Sequence, residues 1–164
     1  MIETERLVLR KPTLDDDVSA FVADPDVRRW TGGGNETSHE VIERWVRRWE
    51  RNGIGQFVVE LDGLFIGRVG FIVWDSRTWE TSAYDLAGDH AETELGWGIL
   101  SAHRGHGYAV EAARAARDWA ARDRIVSLID PRNVRSIRVA DKLGAVPEQL
   151  VHTAAGPTLV WVHP

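Results

Sequence analysis

A mixed α+β fold in a single domain, residues 1–164, is predicted by three features of the chain. Glu92 to Arg122 reads as a strand, a glycine-rich turn and a long alanine-rich helix in succession. Phe57 to Leu61 and Phe65 to Val73 flank Asp62-Gly63, the strongest hairpin signal in the sequence. Amphipathic stretches opened by helix-capping pairs fill the first third. At 164 residues the chain is long enough to bury one substantial core, and it carries no repeat, linker or low-complexity tract.

In chain order, Thr4 to Arg10 is a first strand with Leu7 and Leu9 on one side, ended by Pro12. Thr13 and Asp16 have the spacing of a helix cap before Val18, Phe21 and Val22, and Pro25 is expected to stop that helix. Asp24 to Trp30 reads as a short turn and Gly32-Gly33-Gly34-Asn35 as irregular chain. Thr37 and Glu40 make a capping box, after which Val41, Trp45 and Trp49 share one helical face. Arg44, Arg47, Arg48 and Arg51 on the same helix read as a solvated face. After the hairpin, Asp75 to Asp89 is polar, turn-rich and long for a plain connection, which suggests a mobile or functional loop. Ala109, Ala112, Ala113, Ala116 and Ala120 let the long helix lie close to a sheet. Ile125 to Ile129 is an inner strand, and Ser136 to Leu143 a helix closed by Gly144. Pro147 to Val151 and Thr158 to Val162 are the last strands.

Composition narrows the function. A formal net charge of −5 argues against general nucleic-acid binding. The absence of cysteine removes disulfides, thiolate metal sites and a cysteine nucleophile. Neither a signal-peptide pattern nor a membrane-length apolar run is found, so a cytoplasmic protein without membrane contact is expected. His103 and His106 have no third ligand placed with them, and no metal is expected. Eight tryptophans are many for this length; some are expected to line a ligand groove or a subunit contact, and a homodimer is allowed.

A strand feeding glycines and then a helix is suited to an anion, because the first-turn amides have no helical partner. The spacing Arg104-Gly105-His106-Gly107-Tyr108-Ala109 is neither a dinucleotide fingerprint nor a P-loop. It resembles the Arg/Gln-x-x-Gly-x-Gly/Ala signature of the GCN5-related N-acetyltransferase (GNAT) superfamily, continued by Glu111-Ala112-Ala113. Asp130 to Ala145 is similar to the branch that acetylates ribosomal-protein N-termini, as are the opening Thr4 to Arg10 and Trp30-Thr31-Gly32-Gly33. The resemblance implies a three-layer α/β/α GNAT fold. Its central sheet is mixed and mostly antiparallel, with about seven strands splayed at the acetyl-coenzyme A site and about four flanking helices. The implied activity is acetyl transfer from acetyl-coenzyme A to a primary amine, by direct attack in a ternary complex. The acceptor is a small-molecule amine or a peptide or protein N-terminus.

The same resemblance assigns residues. Trp97, Gly98 and Ile99 would pair with the pantetheine arm; Arg104, Gly105, His106, Gly107, Tyr108 and Ala109 would face the pyrophosphate, Arg104 alternatively forming a peripheral salt bridge. Asn133 would touch pantetheine or a water, and Ser136 the sulfur; both are equally suited to capping the helix they begin. A tyrosine in the thiolate role is disfavoured, Tyr108 lying in the signature and Tyr84 in a loop. Arg132, Arg135 and Arg138 face either the adenosine 3′-phosphate or solvent. Glu94, with Glu92 as second choice on the same strand face, is the candidate base, its pKa raised by Trp97; water is the other route for the proton. His152 and His163 are candidate acceptor contacts. The alternative function is a non-catalytic acyl-coenzyme A-binding or regulatory module.

Overall fold

The computed structural model describes residues 1–31 and 34–164. The chain opens with strands β1 (Ile2–Glu3) and β2 (Leu7–Arg10). Leu7 and Leu9 are buried as alternation requires, but the strand does not extend from Thr4. Residues 4–6 turn instead, the Thr4 N–H donating to the Leu7 carbonyl at 2.9 Å.

Helices α1 (Ser19–Ala23), α2 (Pro25–Trp30) and α3 (Ser38–Asn52) follow. Two expectations are corrected here. Thr13 and Asp16 make a reciprocal turn, the Thr13 N–H donating to Asp16 Oδ2 at 2.7 Å, but Asp16 also binds Arg10 at 2.6 Å and no helix starts there. Pro25 starts a helix rather than stopping one. Asp24 accepts from the Asp26 and Val27 amides, and proline fills a first-turn position that needs no N–H partner. Both halves of the Thr37–Glu40 capping box are present, and Val41, Trp45 and Trp49 form the buried face of α3. The expected irregular run at Gly32-Gly33 lies outside the described residues.

Strands β3 (Gln56–Leu61) and β4 (Leu64–Asp75) form the hairpin. Asp62 and Gly63 have φ of 50° and 78°, the double positive turn that matches strand twist and that Asp-Gly tolerates. The segment expected as a loop folds into β5 (Glu80–Thr81), α4 (Tyr84–Ala87) and a 3₁₀ turn. Next come β6 (Ala91–Ile99), α5 (Tyr108–Ala120), β7 (Val126–Ile129), α6 (Val134–Lys142), β8 (Val146–Thr153) and β9 (Gly156–Val162). Helix α5 ends before the expected Arg122 because Ala121 turns left-handed at φ 46°.

The sheet order is β1-β2-β3-β4-β6-β7-β9-β8, with β5 on β4; seven of its strands have four or more residues. Only β6 and β7 are parallel among the described residues, and they share a single register position, Glu94 opposite Val126. Past it the two strands part, so the C-terminal half of β6 offers backbone to an open gap. One sheet face is packed by α1–α3 through Phe21, Ile42 and Trp45. The other takes α5, whose Ala112, Ala113 and Ala116 are wholly buried beside Val69, Phe71 and Leu95. The three-layer α+β prediction is met.

Candidate active site

The gap beside β6 is one wall of a cleft of about 580 Å³, in the size range of small-molecule sites. Trp97, Gly98, Ile99, Arg104, Gly105, Gly107, Tyr108, Ala109, Asn133 and Ser136 all line it. Gly105 and Gly107 both have φ 81°, a conformation costly for other residues. Gly107 is the N-cap of α5 and supplies no side-chain cap, so the first-turn amides stay open to a ligand. A Cβ at Gly105 would meet nothing within 4 Å, and one at Gly107 would meet only Arg6 Nη2 at 3.6 Å. The loop therefore leaves room for a diphosphate against its main chain. These features fit coenzyme A.

His106 is not brought into this cleft. Its ring stacks on Tyr108 with centroids 5.4 Å apart. Arg104 takes the salt-bridge alternative, with Nη1 at 2.5 Å from Asp26 Oδ2, and Arg135 meets the same carboxylate at 3.2 Å. Arg132 pairs with Asp130, whereas Arg138 lines the cleft. Asn133 caps α6, its Oδ1 accepting from the Ser136 N–H at 3.2 Å.

A clamp that sequence reasoning missed shapes the glycine loop from outside. Glu111 accepts from Thr4 Oγ1 at 2.6 Å, the Arg6 N–H at 3.0 Å and Arg6 Nε at 2.7 Å. Arg6 Nη1 then donates to the His106 carbonyl at 2.9 Å, and its guanidinium covers the Tyr108 ring. Burial pushes the Glu111 carboxyl up, but these bonds from Thr4 and Arg6 hold it below the ordinary range. Glu111 belongs to the quoted motif, yet no local spacing links it to residues 4–6.

On the other sheet face a second cleft of about 710 Å³ runs between β4, β6 and helices α2 and α3. Glu94 lies in it, with Oε2 accepting from Trp74 Nε1 at 2.5 Å. Burial pushes its carboxyl above the ordinary range; the Trp74 indole, Arg68 and Arg48 pull the other way without restoring it. Val27, Trp30 and Thr31 line both clefts, which therefore meet at the end of α2.

A family model described as Acetyltransferase (GNAT) domain matches residues 6–146. The chain belongs to the GNAT acetyltransferase family. The Bacillus subtilis protein YkkB is 30% identical over 154 residues, covering 86% of this chain and 82% of that protein. An acetyltransferase structure from Agrobacterium tumefaciens is 29% identical with a TM-score of 0.79, covering 99% of this chain and 93% of the other. The aminoglycoside acetyltransferase AAC(6′)-Ib, solved with coenzyme A and kanamycin, shares the fold at 19% identity. Its TM-score is 0.75, covering 96% of this chain and 94% of that one. Membership supports acetyl-coenzyme A-dependent acyl transfer in general and leaves the acceptor open.

Within this GNAT chain several expected residues stand elsewhere. Glu92 is held by Arg124, at 3.0 Å, which also binds Glu148, and it lines neither cleft. Trp97 is not the wall that raises Glu94: three positions along a strand put it on the opposite face, edge-on to His163. His163 is buried, with Nε2 at 2.8 Å from Ser127 Oγ, and His152 is exposed; neither lines either cleft. Arg47 and Arg51 are solvated as expected, but Arg44 and Arg48 face the second cleft. Trp74, Gln56 and Arg68 there were not anticipated, because strand pairing, not local pattern, gathers them.

Proposed function

We propose that this GNAT protein transfers the acetyl group of acetyl-coenzyme A to a primary amine by direct attack in a ternary complex. The observation that carries the reading is the meeting of two clefts at Val27, Trp30 and Thr31, one lined by open amides and the other by a desolvated carboxylate. Bound acetyl-coenzyme A supplies an acetyl thioester. The main-chain N–H groups of Gly105, Gly107, Tyr108 and Ala109 hold its diphosphate, and the unpaired edge of Trp97 to Ile99 takes the pantetheine amides. Asn133 fixes the start of α6, and the Ser136 hydroxyl donates toward the sulfur that departs.

Glu94 receives the proton of the acceptor ammonium, directly or through one water. A carboxylate held above its ordinary pKa by burial is better matched to that transfer at neutral pH than a solvated one. The acceptor amine enters along the second cleft, which suits a small molecule or the end of a peptide. The likeness of residues 130–145 to ribosomal N-terminal acetyltransferases speaks to ancestry and selects no acceptor.

The test is thiol release from acetyl-coenzyme A over a panel of small amines and peptides, run beside calorimetric titration of the cofactor. Amine-dependent thiol release is expected, with acetylated product by mass. Tight cofactor binding with no release across the panel would make the protein a binding module instead.

A further inference from the structure

The second cleft carries a charge pattern that acetyl transfer alone does not require. Its lining holds six arginines against three carboxylates. Two of the carboxylates are already matched at the walls, Glu36 by Arg44 and Asp130 by Arg132. The third is Glu94. Arg48 and Arg68 stand opposite it with no ion pair among the described residues, Arg48 reaching only Gln56 Oε1 at 3.3 Å.

Arg68 is the stronger of the two. It projects from the middle of β4 onto the face that carries Glu94, over Gly96 and Gly98 of β6. A Cβ at Gly96 would fall 2.7 Å from Arg68 Nη1 and 3.7 Å from Glu94 Oε1. The guanidinium and the carboxylate thus flank a glycine floor that has no side chain to separate them. Nη1 is buried and has no hydrogen-bond partner among the described residues. Burying a guanidinium without satisfying its donors is costly, and a ligand anion is the chemistry that would satisfy them. Arginine forks match carboxylate and phosphate geometry in two-point contacts. Burial and the neighbouring Arg44 and Arg68 bring Arg48 down to about 10, which leaves it charged at neutral pH.

We infer that the acceptor is an amine that also bears an anionic group, carboxylate or phosphate, with its ammonium toward Glu94 and its anion on Arg68 and Arg48. This rests on the reading that the second cleft takes the acceptor. Two opposite charges held at two points orient the nitrogen, and a polycationic amine meets repulsion from the arginines.

Matched acceptors test it: dipeptides with free or amidated C-termini, O-phosphoethanolamine against ethanolamine, and spermidine as the cation. Each is assayed by thiol release and by titration in the presence of coenzyme A, with wild type, Arg68→Met and Arg68→Lys. The anionic member of a pair is expected to lead in kcat/KM and in affinity by about 10- to 100-fold, the value of a charge-assisted bond. Arg68→Met should erase most of that lead by raising KM, and Arg68→Lys should recover part of it. Arg48→Gln, on the cleft wall, serves if Arg68→Met does not fold. The leading pair, dipeptide or phosphoethanolamine, names the anion. Thiol release that favours amides or spermidine, or a lead untouched by both variants, would overturn the inference while acetyl transfer stood. Arg68-dependent binding of the anionic members without any thiol release would uphold the anion site at Arg68 but overturn acetyl transfer and, with it, the acceptor assignment.

Discussion

Trp74 Nε1 reaches Glu94 Oε2 at 2.5 Å diagonally across a strand pair whose register sets Ile72, not Trp74, opposite Glu94. The indole is thus the nearest stabiliser of the charged carboxylate, working against the burial that raises its pKa. Glu94→Gln is expected to lower kcat/KM by about 100-fold or more and to remove the acidic limb of the pH–rate profile. Trp74→Phe withdraws a bond to the ionised form, so that limb should move to higher pH. Glu92→Gln, a residue tied to Arg124, should behave as wild type. Profiles of all three decide it, and a limb that survives in Glu94→Gln assigns the proton to water.

Gly107→Asp puts a carboxylate among the open amides that begin α5. The positive φ costs an aspartate about 1–2 kcal/mol, whereas repulsion of a diphosphate adds about 1–4 kcal/mol near a surface. Gly107→Asn shares the backbone cost without the charge. Calorimetry should therefore show acetyl-coenzyme A affinity falling far more for Asp than for Asn. Equal affinities would move the diphosphate away from this loop.

Asn133 and Ser136 should separate by readout. Asn133→Ala loses the side-chain cap of α6 and is expected to cost about 1 kcal/mol of stability, visible as a lower Tm. Ser136 contributes its main-chain N–H to that cap, so Ser136→Ala should leave Tm in place. Its turnover should fall by an amount equivalent to about 3 kcal/mol if the hydroxyl serves the sulfur. A drop in Tm with full turnover would return Ser136 to the helix alone.

His163 predicts an acid-sensitive fold. Ser127 Oγ donates to the Leu95 carbonyl at 2.6 Å, so it must accept from His163 Nε2, leaving buried Nδ1 without a partner among the described residues. Burial, with a smaller push from Arg117, holds the ring down to about 4 from an ordinary value of about 6.5. Between those values the unfolded chain binds a proton that the native chain does not. Stability should then fall as pH drops through the window and level off below it. Denaturant titrations at pH 7 and pH 5 should show a smaller difference for His163→Leu than for wild type.

Local chemistry was the legible part of this chain. The Asp62-Gly63 turn, the Thr37–Glu40 box and the glycine loop are fixed within a few residues, and each stands where the sequence put it. Pro25 is ambiguous in sequence because proline both ends and begins helices, and only the Asp24 cap decides which. Glu92 and Glu94 are equivalent by strand period; Arg124, brought in from the far side of α5, separates them. An odd offset from Glu94 sets Trp97 on the opposite face of the strand, away from the carboxylate. Arg68 was invisible for a better reason: its surroundings are three strands and two glycines joined only by pairing.

The clamp on Glu111 joins residues 105 positions apart and hangs from β2, near the outer edge of the sheet. Edge elements open at lower free energy than the core, so β1 and the turn at residues 4–6 can loosen while buried Leu7 and Leu9 hold β2 in place. Such an opening frees Arg6 from the His106 carbonyl and loosens the loop that faces the diphosphate. Linkage runs both ways: a cofactor that prefers the clamped loop must also hold the edge strand down. Hydrogen exchange at Thr4 and Arg6 would then slow on addition of acetyl-coenzyme A, though neither residue lines its cleft.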